Sequence, residues 1–312
     1  MEYRQLGNSG VRVSVLGLGT NQFGGPLDQE AVNEVIDAAL DMGVNFIDTA
    51  DVYQSGRSEE LLGVALQGKW ERIVLATKVF FATGDGPNDR GSSRYHIING
   101  VENSLRRLQS DHIDLYQMHR WDDETPIEET LRALDDLVRA GKVRYVGASA
   151  YASWQLAKAN LLADMHGWSP FVTVQSHYHM LERQVEEEVL PYCRAHGVGF
   201  IPYFPLAGGF LTGKYRRGEA PPAGSRGERS PYVQRYMTDG NYDRIETLTE
   251  WAEERGHTMA ELAQAWLMAQ PQVCSVISGL TRKSHLEANV KAAEWQLTAD
   301  ELAAVNGVLD ES

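Results

Sequence analysis

Cysteine is nearly absent: Cys193 and Cys274 are the only two in 312 residues. Two isolated thiols supply neither a metal-binding spacing nor a disulfide framework, so a reducing cytoplasm is the expected compartment. No apolar run approaches the roughly 18 residues that would mark a membrane helix. The first residues, Met1 to Leu6, lack the apolar stretch of a signal peptide, and none is expected. Positive charge is also scarce. Against 43 acidic residues stand 29 lysines and arginines, a net charge of -14 with no basic block. Such a chain is a poor partner for nucleic acid or an anionic membrane surface. What is plentiful is apolar residue, 43% of the total, enough for a large core and too much for a disordered chain.

Those apolar residues fall in short runs that alternate with helical periodicity. Tyr3 to Leu6 and Val11 to Val15, around Gly7-Asn8-Ser9-Gly10, predict a hairpin. Eight strand-like runs follow: Leu16–Thr20, Val44–Ile47, Ile73–Lys78, Ile113–Met118, Val143–Ala148, Phe171–Gln175, Val198–Tyr203 and Val273–Ser278. Between them lie helical patterns. Asp28 caps the first, Ser58 the second, and Thr125-Pro126-Ile127-Glu128 reads as a capping box with proline at the first helical position. Ser153 starts the fifth, and Pro191 should kink or break the sixth. A Gly-, Pro- and Arg-rich insert spans 208–240, ahead of two helices near 242–255 and 259–269. Helices at 284–292 and 299–309 end the chain.

Eight strands alternating with helices imply an α/β fold, a (β/α)8 TIM barrel with an N-terminal β-hairpin and extra C-terminal helices. A domain boundary is not evident, and residues 1–312 read as one domain. An open dinucleotide-binding sheet competes poorly. Gly17-Leu18-Gly19 begins such a fingerprint, but Gln22 stands at the third glycine position. In a barrel every strand opens its C-terminal end on one face, where chemistry gathers. The ends here are Gly19-Thr20, Asp48, Lys78, His119, Ser149, Gln175, Tyr203 and Gly279, with Tyr53 in the loop after Asp48. Any one polar strand end is ordinary; a ring of them around an acid, a lysine, a phenol and an imidazole is not.

The segment Asp48-Thr49-Ala50-Asp51-Val52-Tyr53 resembles the signature of the aldo-keto reductases, and the resemblance extends over nearly the whole chain. It implies a catalytic tetrad of Asp48, Tyr53, Lys78 and His119, one motif per strand end. A phenol with an ordinary pKa of about 10 is a weak acid at neutral pH, and a nearby ammonium favours its phenolate. Lys78 would supply that charge, Asp48 would hold Lys78, and His119 would orient a carbonyl oxygen. No side chain supplies a hydride, so the reaction implied is reduction of an aldehyde or ketone by NADPH, NADH being second choice. A short-chain dehydrogenase is excluded, because its Tyr-x-x-x-Lys spacing is absent.

The same resemblance assigns the nicotinamide end of the cofactor to Gly19, Thr20, Asp48, Ser149 and Gln175, stacked by Tyr203 and followed by Phe204, Pro205 and Leu206. Lys214 and Arg226 match pyrophosphate contacts of shaker-type relatives. Gly279, Thr281, Arg282, His285 and Asn289 match the adenosine 2′-phosphate site. Four departures stand out: Ala150 replaces the usual Asn, Phe204 a common Ser, His285 the usual Gln or Arg, and Ala288 a common Glu. Substrate-facing candidates are Asn21, Phe23, Tyr53, Phe80, His119 and Trp121, a largely apolar wall for a small carbonyl compound. Potassium-channel β subunits of the same family imply a second role, a cofactor-sensing binding protein with residual activity. Retention of His119 speaks for catalysis.

Overall fold

The computed structural model describes residues 1–310. Strands β1 (Tyr3–Gln5) and β2 (Arg12–Ser14) pair antiparallel as the hairpin. Eight further strands close into a parallel barrel: β3 (Leu16–Gly19), β4 (Phe46–Asp48), β5 (Val74–Val79), β6 (Ile113–Met118), β7 (Val143–Ser149), β8 (Phe171–His177), β9 (Gly199–Tyr203) and β10 (Val276–Gly279). They follow chain order around the ring, with β10 returning beside β3.

The hairpin seals one end of the barrel. Its Leu6 and Val13 are completely buried among the inward residues Phe46, Ala76, Leu115, Ile201 and Ile277. Gly7 makes this possible. At φ +59 a side chain there would be strained, and its Cβ would lie 2.0 Å from the carbonyl oxygen of Val172. The expected site residues lie at the opposite mouth, at the strand C-termini.

Helices α1 (Gln29–Asp41), α2 (Arg57–Ala65), α3 (Arg94–Leu108), α4 (Ile127–Arg139), α5 (Ser153–His166) and α6 (Val189–His196) pack outside the strands. Several sequence expectations are corrected. Ser58 lies inside α2, whose N-cap is Gly56, and its hydroxyl donates to the carbonyl oxygen of Thr20. The Thr125 capping box does not form: Pro126 is the N-cap of α4, and Thr125 Oγ1 donates to Asp122. Pro191 breaks nothing, because it occupies the first turn of α6, where no helical N–H is required. The break falls upstream, between a 3-10 turn at Gln184–Glu186 and Val189. β4 begins at Phe46, since the Val44 N–H is taken by the Ala39 carbonyl.

The 208–240 insert is not featureless. It contains α7 (Arg226–Arg229) and α8 (Pro231–Gln234) and leads into α9 (Asp239–Glu253) and α10 (Met259–Met268). After β10 come α11 (Lys283–Ala292) and α12 (Ala299–Asp310). Among the described residues no helix is long and apolar enough to cross a membrane.

Candidate active site

Parallel register decides which polar residues meet. Asp48 pairs with Gly19 on one side and Ala76 on the other, and Lys78 pairs with Gln117. Alternation along β5 turns Ala76 and Lys78 inward and Thr77 outward. The completely buried Lys78 Nζ then donates to Asp48 Oδ1 at 2.6 Å and to the Thr49 carbonyl at 2.8 Å, and lies 3.4 Å from Tyr53 Oη. The second Asp48 oxygen accepts from Gln175 Nε2 at 2.8 Å and from Gln117 Nε2 at 3.4 Å. His119 stands edge-on to Tyr53, with ring centroids 6.0 Å apart. Gln117 was missed by reading only the strand ends. It precedes His119 by two residues, so period-2 alternation points both inward.

Burial and charge set the protonation states. Burial works to lower the Lys78 ammonium, but Asp48 and Tyr53 outweigh it and hold its pKa above the ordinary value. Burial also drives the Tyr53 phenol up, against the pull of Lys78, and burial wins. The expectation that Lys78 lowers this phenol is therefore corrected: the ammonium offsets only part of the burial penalty. Burial, with help from Lys78, pushes the His119 imidazole down to about 2. His119 is thus neutral, and its Nδ1 has no hydrogen-bond partner among the described residues.

An acid–lysine–phenol relay thus stands beside a neutral imidazole at the mouth of an eight-stranded barrel. Residues 15–310 match the aldo/keto reductase family. The chain belongs to that family. Among its relatives, a probable voltage-gated potassium channel subunit beta of Arabidopsis thaliana is 41% identical over 94% of this chain and 92% of its own length. An uncharacterized oxidoreductase, YrpG, of Bacillus subtilis is 39% identical over 99% of this chain and 96% of its own. Versiconal hemiacetal acetate reductase of Aspergillus parasiticus is 34% identical over 97% and 95%. This aldo-keto reductase is accordingly an oxidoreductase of a family that typically depends on NAD(P)H.

Around the relay, the expected nicotinamide residues differ in availability. Gln175 spends Nε2 on Asp48, which leaves its carbonyl oxygen to accept from an amide. Ser149 lies beside it in register on β7. Tyr203 is half-buried and stacks on His177 at 5.4 Å and 10°, so one ring face is backed and the other remains. Thr20 is corrected: it is completely buried, and its hydroxyl donates to the Asp48 carbonyl and accepts from Ser58. It braces the end of β4 from behind. Gly19 is buried as well, and a Cβ there would come within 2.9 Å of Ile277. Pro205 is buried and Leu206 half-buried, its carbonyl accepting from Gly209 and Leu211.

Backbone strain collects at this rim. Ala150 (φ 53), Phe204 (φ 66), Gln54 (φ 50) and Ser55 (φ 56) all adopt left-handed conformations without being glycine. The asparagine usual at position 150 tolerates that conformation; alanine accepts it at a cost of about 1 kcal/mol.

The far end of the proposed cofactor site fits an anion. Helix α11 starts after Arg282, which makes no side-chain cap, so its first N–H groups are free of one. Burial first, then the charges of Arg282 and Lys214, push the half-buried His285 imidazole down. Two cations, one from the insert and one from the β10–α11 turn, therefore act on His285. The Gly227 N–H donates to Tyr215 Oη at 2.9 Å, which brings the exposed Arg226 beside the Lys214 segment. Thr281 is exposed next to His285, and Gly279 is open at the strand end. Asn289 is buried and accepts from Gln264 Nε2 at 3.0 Å, so only its amide nitrogen remains to donate.

On the substrate side, Phe81 is edge-on to His119 at 4.8 Å, and Trp121 packs against Tyr151 at 5.2 Å and Trp154 at 5.5 Å. Phe80 is largely buried beneath Phe81, and Asn21 is exposed. Phe23 is corrected: it has no exposed surface and belongs to the core, where it bridges Leu27. Trp154, from α5, and Tyr232, from α8, join the mouth from segments that sequence reasoning did not connect to it.

Proposed function

We propose that this aldo-keto reductase reduces an aldehyde or ketone to the alcohol with NADPH, working as one domain in the cytoplasm. The observation that carries the reading is the short relay from Asp48 through Lys78 to Tyr53 Oη, with Lys78 Nζ 2.6 Å from the first and 3.4 Å from the last. When bound, the nicotinamide would supply the hydride that the carbonyl carbon takes up. Tyr53 donates its proton to the carbonyl oxygen as the electrons of the C=O bond move onto it. Burial keeps that phenol protonated at neutral pH until it is needed. The phenolate left behind is stabilised by Lys78, whose own charge is secured by Asp48. Neutral His119 orients the carbonyl oxygen by a hydrogen bond. Gln175 and Ser149 hold the carboxamide, and Tyr203 stacks on the ring. Lys214 and Arg226 meet the pyrophosphate, and Arg282 with Thr281 meets the 2′-phosphate, which favours NADPH over NADH.

Tyr53→Phe tests this directly. It should lower kcat by about 10² to 10⁴ while leaving the NADPH dissociation constant near that of the wild type. Full activity of Tyr53→Phe on reducible carbonyls would remove the proton-donor role. A second reading, a cofactor-sensing binding protein, is favoured by the 41% identity to a probable channel β subunit. Single-turnover oxidation of NADPH across an aldehyde panel separates the two. Rates far below one per minute would favour the binding role.

A further inference from the structure

Four large apolar side chains among the described residues are more than half exposed: Tyr95 (63%), Trp154 (57%), Leu161 (61%) and Met165 (69%). The last three lie on one helix, α5. Its buried residues Leu156, Ala159 and Ala163 hold it to the barrel. Trp154, Leu161 and Met165 follow one another at spacings of seven and four, which sets them in a single stripe on the opposite side. An isolated exposed apolar residue is ordinary, but a stripe of them marks a surface that something covers. A substrate at the barrel mouth does not reach it. Only Trp154 stands at the mouth, where it packs on Trp121 at 5.5 Å. The helix runs back along the barrel, so Leu161 and Met165 lie about 10 and 16 Å farther down its flank.

Charge identifies the occupant. Lys158 stands three residues before Leu161 and Asp164 three after; both are exposed. Neither makes an ion pair among the described residues. On a helix these offsets place them on either side of Leu161, one turn below and one turn above. Ala157 and Met165 stand four residues before and four after. The face is thus symmetric about Leu161, with opposite charges at equivalent positions. Two such helices packed antiparallel, across a two-fold axis at Leu161, bring each Lys158 level with Asp164 of the second copy. The same packing sets each Met165 against a small Ala157. A parallel two-fold pairing would set lysine against lysine and aspartate against aspartate. Copies of a chain with net charge -14 repel one another, so they can meet only where local charges cancel, as they do here.

We infer that the outer face of α5 is a docking surface for a second copy of this chain, forming a two-fold dimer. Leu161 meets its own copy on the axis, and two Lys158–Asp164 ion pairs close the seam. One helix pair is small against the roughly 1,600 Å² of a standard interface, so the dimer is weak, with a dissociation constant of about 1–100 µM. None of these residues belongs to the relay of Asp48, Lys78 and Tyr53, so the dimer does not depend on carbonyl reduction.

Sedimentation velocity on the full chain, from about 1 to 200 µM, tests this. Wild type should pass from monomer to dimer within that range. Leu161→Glu sets two carboxylates face to face on the axis and should weaken the dimer at least about a hundredfold, leaving monomer throughout. Lys158→Glu alone, or Asp164→Lys alone, turns both ion pairs into repulsions and should weaken it about tenfold. Carrying both reversals restores opposite charges at both pairs, so the double variant should dimerise within about threefold of wild type. That rescue is what an antiparallel pairing predicts and an unrelated contact does not. All three positions are exposed, so melting by circular dichroism should match wild type. If Leu161→Glu melts early, the charge reversals decide alone. A wild type that stays monomeric throughout overturns the proposal, and so does a dimer that Leu161→Glu leaves intact. Failure of the double variant to recover what either single reversal loses overturns it as well.

Discussion

Replacing Asp51 by asparagine should stabilise this protein at neutral pH, and by an amount that grows as the pH rises. Asp51 lies in the loop between Asp48 and Tyr53 but is only 3% exposed, and neither carboxyl oxygen has a hydrogen-bond partner among the described residues. Three carboxyl groups and two cations share this buried region. Lys78 pairs with Asp48 at 2.6 Å and Arg107 with Glu59 at 2.7 Å, while Thr77 donates to the other Glu59 oxygen at 2.6 Å. Asp51 is the carboxyl left without a counter-ion. Burial, then repulsion from Glu59, raises its pKa from 3.8 to about 8, against the weaker pulls of Arg107 and Lys78. Between those two values the folded chain holds a proton that the unfolded chain has released. Stability therefore falls as the pH climbs through this window, by about 1.4 kcal/mol per unit. At pH 7 the accumulated cost is about 4 kcal/mol; near pH 4 it vanishes. A carboxamide in place of the carboxyl cannot ionise in either state, so the substitution removes the cost. Even half of it would raise the melting temperature by about 4 °C for a chain of this size. Melting followed by circular dichroism at pH 5, 6, 7 and 8 measures the gap between variant and wild type. A gap that does not change with pH, or a less stable variant at pH 8, would refute the neutral state of Asp51.

The other expectations follow from single features. Arg282→Ala should weaken NADPH about ten- to a hundredfold and leave NADH nearly unchanged; equal loss for both cofactors, by fluorescence titration, would reassign the phosphate. Because His119 is held neutral down to about pH 2, kcat/KM should show no imidazole limb between pH 5 and 8 belonging to it. A limb in that window that disappears in His119→Gln would contradict its burial. Ala150→Asn should stabilise the fold by a few tenths to about 1 kcal/mol, since asparagine accepts the left-handed turn at φ 53 better than alanine; a urea midpoint at or below that of wild type would show that the turn carries no such strain.

What the sequence determined alone is the alternation and the chemistry at its punctuation. Short apolar runs separated by helical periodicity are enough for a parallel barrel, because both faces of such strands must be buried. The tetrad was legible because Asp48, Lys78 and His119 each stand where an apolar run ends in a functional group, with Tyr53 just beyond. Tertiary structure decided what each neighbour of those residues does. Ser58 looks like a helix cap and instead braces Thr20, since the chain enters α2 two residues early through a left-handed Gly56. Thr20 and Phe23 follow the first strand end yet face inward, so a position near the mouth did not make them surface. Gln117 joins Asp48 only because β6 lies beside β5 in that register. Whether Lys78 or burial governs Tyr53 depends on the loss of solvent around the phenol. Trp154 meets Trp121, and Tyr232 meets His177, because barrel closure brings together rim segments distant in the chain. Periodicity and strand-end chemistry are local and can be read along the chain. Inward direction, solvent exclusion and contacts across the ring exist only once the barrel has closed.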